Sequence, residues 1–129
     1  MNENERKAGA ELSIALKDLH RALIRAEAGD DPNLQNPYTL LFAVIGDPRF
    51  GWMNGLSQLI VQLDEMLDDD EAASAGTLDP FRAATEALLG EREGEQAEFR
   101  LRYLMSLQKD ADVALATGAL RRVVAALPR

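Results

Sequence analysis

The sequence predicts an all-α protein: a single domain over residues 1–129, built as a bundle of five or six helices with short Asp/Asn-Pro and Gly joints. Ala and Leu supply 20 residues each and lose little conformational freedom in a helix, whereas the β-branched residues that pack best in sheets are scarce. Apolar residues recur at three- and four-residue steps, the spacing that gives a helix one buried face. Asp-Pro and Asn-Pro pairs, which suit the first turn of a helix, divide the chain.

The first helix is predicted from about residue 5 to about residue 28, after a frayed terminus at residues 1–5. Gly29 follows, and glycine is the commonest residue just past a helix end. Charged residues fall away from the apolar stripe of this helix, so it should bury one face. The stripe consists of Leu12, Leu16, Leu19, Leu23 and Ala26.

Four of the five prolines follow Asp or Asn. The side-chain oxygen of Asp or Asn accepts amide hydrogens in the first turn, and a proline at the first helical position loses no hydrogen bond. We therefore expect helices to start at three of these pairs and a turn at the fourth, which lies too close to its neighbour. The starts are Asn36-Pro37, Asp47-Pro48 and Asp79-Pro80, and the turn is Asp31-Pro32.

Residues 38–45, "YTLLFAVI", are apolar on all sides. Their periodicity fits a buried strand as well as a helix, but the Asn-Pro start and the following glycine favour a short, central helix. Gly46 is expected to end it in a left-handed conformation. The next helix has the strongest stripe in the chain, with charged and amide side chains outside it or at its edge. This stripe consists of Trp52, Met53, Leu56, Leu59, Ile60, Leu63 and Leu67.

The second half of the chain begins with residues 68–79, which are small and acidic and predict a mobile loop. A helix is predicted from Asp79-Pro80 to Gly90. From about residue 95 to residue 127 the pattern is again helical. Asp110 can cap a fresh start there, so this segment is either one helix or two.

The net charge of −8 is concentrated in the middle of the chain. Residues 30–79 hold ten acids and one base, Arg49, which gives −9, whereas residues 1–29 give 0 and residues 80–129 give +1. Duplex binding needs clustered Lys and Arg, and no such cluster is visible. The composition therefore predicts no nucleic-acid or membrane partner. The acidic run at residues 64–71 is expected to steer a basic protein partner.

The location predicted for this chain is cytoplasmic. Cysteine is absent, which excludes disulfides, thiolate metal sites and cysteine nucleophiles. The N-terminal residues have no apolar core of signal-peptide length, and no apolar run approaches the roughly 20 residues of a membrane span. The high content of Ala, Leu and Arg is associated with bacterial genomes rich in GC.

Arg49 is the strongest candidate for a binding residue because Phe50 and Trp52 flank it, and arginine with aromatic residues is enriched at interface hot spots. The structural alternative is an ion pair between Arg49 and Asp47 or an acid of residues 63–71. Trp52 has a second interpretation as a core anchor, since it begins the strongest stripe.

A rival prediction is a ligand-binding or catalytic pocket near Tyr38, Arg49 and Trp52, with His20 as its fourth member. His20 is the only histidine, and no serine stands in a nucleophile elbow, so no catalytic residues are assigned. The chain leans away from an enzyme, and no cofactor is predicted.

A weaker alternative is a Mg²⁺ site on Asp64 and Asp68, which share a helix face at a four-residue spacing. Only one such cluster exists, and it lies at a helix end. No resident metal is therefore assigned, and these two carboxylates stay weak candidates.

Apolar residues outside the main stripes predict self-association. Ile14, Ile24 and Val61 lie off their helices' stripes, and residues 99–107 are apolar on two opposite faces. A helix with two apolar faces is either central in a bundle or shared with another chain, and central burial is the simpler account of residues 99–107. The sequence therefore predicts a non-enzymatic, adaptor-like or regulatory interaction protein that forms a homodimer. The tail stripe of Val113, Leu120 and Leu127 is a further candidate for the dimer contact.

Overall fold

The computed structural model describes residues 2–69, 78–90 and 97–128, and every regular element in these ranges is a helix. The all-α prediction is confirmed, and the predicted count of five or six helices is matched roughly. Most of the predicted acidic loop lies outside the described residues. The elements are α1 (Glu3–Ala28), a 3-10 helix (Pro32–Leu34), α2 (Pro37–Gly46), a second 3-10 helix (Pro48–Met53), α3 (Asn54–Asp68), α4 (Asp79–Leu88), α5 (Ala97–Lys109) and α6 (Ala111–Ala126).

Helix α1 is the centre of the fold, since it packs against α3 and α6 and also contacts α5. The four leucines of its predicted stripe are buried, with Leu12, Leu16 and Leu23 fully inaccessible to solvent, whereas Ala26 is partly buried. The helix begins at Glu3, two residues before its predicted start. The reason is a capping box: the Asn2 side chain accepts the amide of Glu5, and the Glu5 carboxylate accepts the amide of Asn2.

Two of the predicted helix starts are confirmed by their caps. The Asn36 side chain accepts the amide of Tyr38 at 2.9 Å, and Asp47 accepts the amide of Arg49 at 2.9 Å. The third start is also confirmed, since α4 begins at Asp79, but the expected cap is wrong. Asp79 is the first helical residue, and its carboxylate accepts from Arg82 at 2.7 Å instead of capping the helix.

The predicted left-handed end at Gly46 is also wrong, because positive φ angles among the described residues occur at Gly29 and Gly90. Helix α2 does end at Gly46, but the chain leaves the helical conformation at Asp47, whose backbone is extended with a ψ of 127°. The residue before a proline is disfavoured in the helical region, so Pro48 is sufficient to explain where α2 stops.

The prediction that residues 38–45 form a central helix is wrong: they are helical, but α2 lies at the surface. None of its residues is buried, and it packs mainly against the two 3-10 helices that flank it in the chain. One side contacts the core through the partly buried side chains of Leu40, Ala43 and Val44. The opposite side is equally apolar and faces solvent.

The C-terminal segment forms two helices, which decides the alternative left open by the sequence. Asp110 separates them and accepts the amides of Asp112 and Val113 at 2.8 and 3.3 Å. Helix α5 buries Phe99 and Tyr103, but its opposite face is exposed, so the expected central burial of residues 99–107 is wrong for that face.

Candidate functional site

The most unusual surface of the described residues is one side of α2. Four of its apolar side chains are spaced at three- and four-residue steps and so lie on one face of the helix. Tyr38 is 75% exposed, Leu41 54%, Phe42 71% and Ile45 73%. We call these four residues the α2 stripe. A face of this pattern is the kind that a surface helix normally buries.

The α2 stripe is large as well as apolar. An aromatic side chain presents about 150–250 Å², so four large side chains exposed to this degree offer on the order of 500 Å². The largest apolar patch of a typical monomer is about 300–600 Å² and is often functional. Residues 37–46 also contain no Asp, Glu, Lys, Arg or His, so covering the stripe would not desolvate a charged side chain of α2.

Arg49 joins the residues that follow α2 to residues that precede it. Its Nη1 lies 3.1 Å from Oδ2 of Asp31, and its Nη2 donates to the backbone carbonyl of Glu27 near the end of α1. Both acceptors precede α2, whereas Arg49 follows it. The cation also lies where the dipole and free carbonyls of α1 favour positive charge. We call this arrangement the Arg49 clasp, and its ion-pair partner is Asp31 rather than the acids suggested by the sequence.

Phe50 and Trp52 are placed differently from Arg49. Phe50 is 1% exposed, so its side chain belongs to the core and not to an accessible contact surface. Trp52 is half-buried, with its ring 5.4 Å from that of Phe99 and its Nε1 3.4 Å from a carboxylate oxygen of Glu27. The three neighbours in sequence therefore differ in exposure but not in location. The guanidinium carbon of Arg49 lies 5.9 Å from the centroid of the Phe50 ring, and Arg49 and Trp52 both donate to Glu27.

His20 joins α1 to α3. Its Nε2 lies 3.0 Å from Oγ of Ser57, which also lies 3.4 Å from the carbonyl oxygen of Met53. Burial lowers the pKa of His20, so the neutral ring is favoured. Within residues 2–69, 78–90 and 97–128, no carboxylate hydrogen-bonds to the ring as the orienting acid of a triad would. The contact with Ser57 therefore gives His20 a structural role, in which its side chain links α1 to α3.

Asp64 forms the second tie between α1 and α3. Its Oδ1 accepts the hydroxyl of Ser13 at 2.5 Å, and its Oδ2 pairs with Nζ of Lys17 at 2.8 Å. Burial acts to raise the pKa of this carboxyl, but the hydrogen bonds from Lys17 and Ser13 and the charge of Lys17 together lower it. Both oxygens are thus engaged, and Asp68 is exposed at the end of α3. The described residues contain no group of three or more His, Cys, Asp or Glu suited to a metal.

A cleft of about 290 Å³ borders Trp52. Two of its acids already accept hydrogen bonds: Glu27 from Trp52, and Asp110 from amides of α6. Its two bases, Arg102 and Lys109, make no ion pair or hydrogen bond in the described part of the chain. The cleft lining is Ala26, Glu27, Trp52, Arg102, Met105, Ser106, Lys109 and Asp110, and so includes only Trp52 of the predicted pocket residues.

Arg82 is an important residue that the sequence did not single out. It is buried, and its Nη2 donates to the carbonyl oxygens of Leu127 and Pro128 at 2.9 and 3.0 Å. Its partners lie 45 and 46 residues further along the chain. The one local signal is the three-residue spacing from Asp79, which by itself indicates only a surface ion pair.

No protein-family model, curated protein or solved structure matches this chain. The helices within the described ranges include none that is both long enough and apolar enough to cross a membrane.

Proposed function

We propose that this chain is a non-enzymatic helical interaction protein that binds a protein partner through the α2 stripe. The observation that carries the proposal is the exposure of four large apolar side chains on one face of an uncharged helix. Burying on the order of 500 Å² contributes about 12 kcal/mol at roughly 25 cal/mol per Å². That gross gain is comparable with the 4–15 kcal/mol or so that association costs, so partner residues around the stripe would have to supply the surplus.

The Arg49 clasp supports this function because it holds α2 at both ends before a partner arrives. A helix that is already ordered loses less conformational entropy on binding than a segment that must fold. Arg49 is then a positioning residue and not a contact residue. An attraction between residues 64–71 and a basic partner stays a prediction, since the stripe itself has no charge that would select one.

The proposal can be tested by replacing Phe42 with the photoreactive residue benzoylphenylalanine in the cells that make this protein. Irradiation should give a protein adduct of defined mass. The matched control places the same residue at Leu115, which is 71% exposed on α6 and lies outside the stripe. Equal adduct yields at the two positions would contradict a binding role for the stripe.

A second candidate function is the binding of a small organic anion in the cleft beside Trp52. The observation that favours it is the pair of bases, Arg102 and Lys109, which have no ion-pair or hydrogen-bond partner among the described residues and lie next to an aromatic wall. Because Trp52 is the only tryptophan, its fluorescence reports on this cleft directly. Titration with benzoate should give a saturable change that Arg102→Ala removes and Arg122→Ala, on α6, retains. If benzoate gives no saturable change up to about 10 mM, its binding free energy is weaker than about −3 kcal/mol, and this candidate is refuted.

A further inference from the structure

From the pattern of the α2 stripe we infer that its partner is a second copy of this chain, with the two α2 helices packed antiparallel about a two-fold axis. This inference rests on the proposed function, because it names the occupant of the same surface. A two-fold axis makes each stripe contact the identical stripe of the other copy.

The order of side chains along the stripe favours the antiparallel arrangement. The stripe reads aromatic, aliphatic, aromatic, aliphatic: Tyr38, Leu41, Phe42 and Ile45. Its spacing is symmetric about the midpoint between residues 41 and 42. Reversing one copy therefore places Tyr38 opposite Ile45 and Leu41 opposite Phe42, so each aromatic ring packs against an aliphatic side chain. A parallel pair would place rings against rings at two levels and the smaller side chains against each other, which leaves gaps between them.

Electrostatics permits this contact although each chain carries a net charge of −8. The charges lie outside residues 37–46, so the centre of the interface is neutral. Antiparallel packing also brings Asp47, at the C-terminal end of one α2, towards the N-terminal end of the other. A carboxylate near a helix N-terminus is stabilised by the helix dipole.

The area of the contact sets the expected strength. Two stripes of on the order of 500 Å² bury about 1,000 Å² in total, which is the lower limit for a specific interface and below the usual 1,600 Å² or so. The dimer should therefore be reversible and depend on protein concentration. Salt should weaken it little, since no ion pair is needed at its centre.

Single cysteines give a direct test, because the natural chain has none and any disulfide must join the introduced residues. Tyr38 and Ile45 are seven residues apart, which is about 10.5 Å along a helix. A disulfide requires Cα atoms within about 7 Å. An antiparallel pair therefore predicts a mixed disulfide when Tyr38→Cys and Ile45→Cys chains are combined under mild oxidation, with several-fold less product from either variant alone.

The control is Leu115→Cys, which reports chance collisions of an exposed position. Efficient disulfides within each single variant, at position 38 and at position 45, would overturn the antiparallel arrangement. Product no greater than the control in the mixture and in both variants alone would overturn the second copy as partner. Photoadducts at position 42 then separate the two proposals: an adduct with a different protein would leave the proposed function intact, whereas no adduct above the control would remove both.

Discussion

Arg49 follows α2, while both of its acceptors, Asp31 and the carbonyl of Glu27, precede it. This placement explains why a base occupies the first turn of a 3-10 helix in an otherwise acidic segment. The unfavourable interaction with its own helix is offset by a carboxylate and by the C-terminal end of α1. The single base in residues 30–79 thus holds the segment that contains α2 against the end of α1 and is not a member of the α2 stripe.

Replacing Arg49 with Ala should lower the free energy of unfolding by about 1–2 kcal/mol, because the exposed ion pair contributes little and the charged bond to the backbone carbonyl contributes most. Urea unfolding measures this change. Arg21→Ala is the matched control, since Arg21 makes an exposed ion pair with Asp18 at 3.4 Å and should cost much less. Equal losses in the two variants would show that the clasp adds nothing to an ordinary surface pair.

His20 predicts how stability depends on pH. Burial lowers its pKa in the folded chain below the ordinary value of 6.5, so the unfolded chain takes up a proton first as the pH falls. The free energy of unfolding should therefore decrease as the pH falls below about 6.5 and level off below the folded pKa. His20→Gln should remove this decrease between pH 7 and pH 5. The separate loss from Asp64, whose pKa is also lowered, begins nearer its ordinary value of 3.8 and should persist in both proteins. An unchanged slope in the variant between pH 7 and pH 5 would exclude His20 as its source.

At the scale of elements, α2 and the 3-10 helix that follows it place their apolar side chains in different surroundings. Helix α2 presents one apolar side to solvent, while the 3-10 helix places Phe50 and Met53 in the core. Two phenylalanines eight residues apart consequently have opposite surroundings. They provide an internal comparison between a contact residue and a core residue.

Phe42→Ala should leave the unfolding free energy of the monomer within about 0.5 kcal/mol, whereas Phe50→Ala should lower it by about 3–5 kcal/mol. Sedimentation velocity should show the opposite preference, with the dimer weakened by the change at Phe42. Unfolding should be measured at low protein concentration, because dissociation of a dimer also lowers apparent stability. A large loss of monomer stability from Phe42→Ala would place this ring in the core and contradict the exposed stripe.

At the scale of the whole molecule, Arg82 joins α4 to the end of the chain. Its guanidinium satisfies the carbonyls of Leu127 and Pro128, which follow the last helix. A buried cation can stabilise such an arrangement only while its acceptors stay in place. The C-terminal residues are therefore coupled to the fold through this side chain as well as through the buried side chain of Leu127.

Arg82→Met retains much of the side-chain volume but removes these hydrogen bonds, so it should lower the free energy of unfolding by about 2–4 kcal/mol. Arg122→Met is the control, because Arg122 is exposed on α6. Urea unfolding of both variants measures the difference. A loss for Arg82→Met no larger than that of the control would show that this anchor does not contribute to stability.

The sequence by itself determined the helical class, the buried stripes of α1 and α3, and the caps at Asn36, Asp47 and Asp110. These features depend on interactions between residues within about four positions of each other, so the order of residues is sufficient to predict them. Only the tertiary structure decided that one apolar side of α2 stays uncovered, that Arg49 pairs with Asp31, and that Arg82 holds the C-terminal carbonyls. Burial and long-range pairing depend on which elements contact each other in the folded chain. The amino-acid sequence of an apolar segment is the same whether the fold buries it or leaves it exposed.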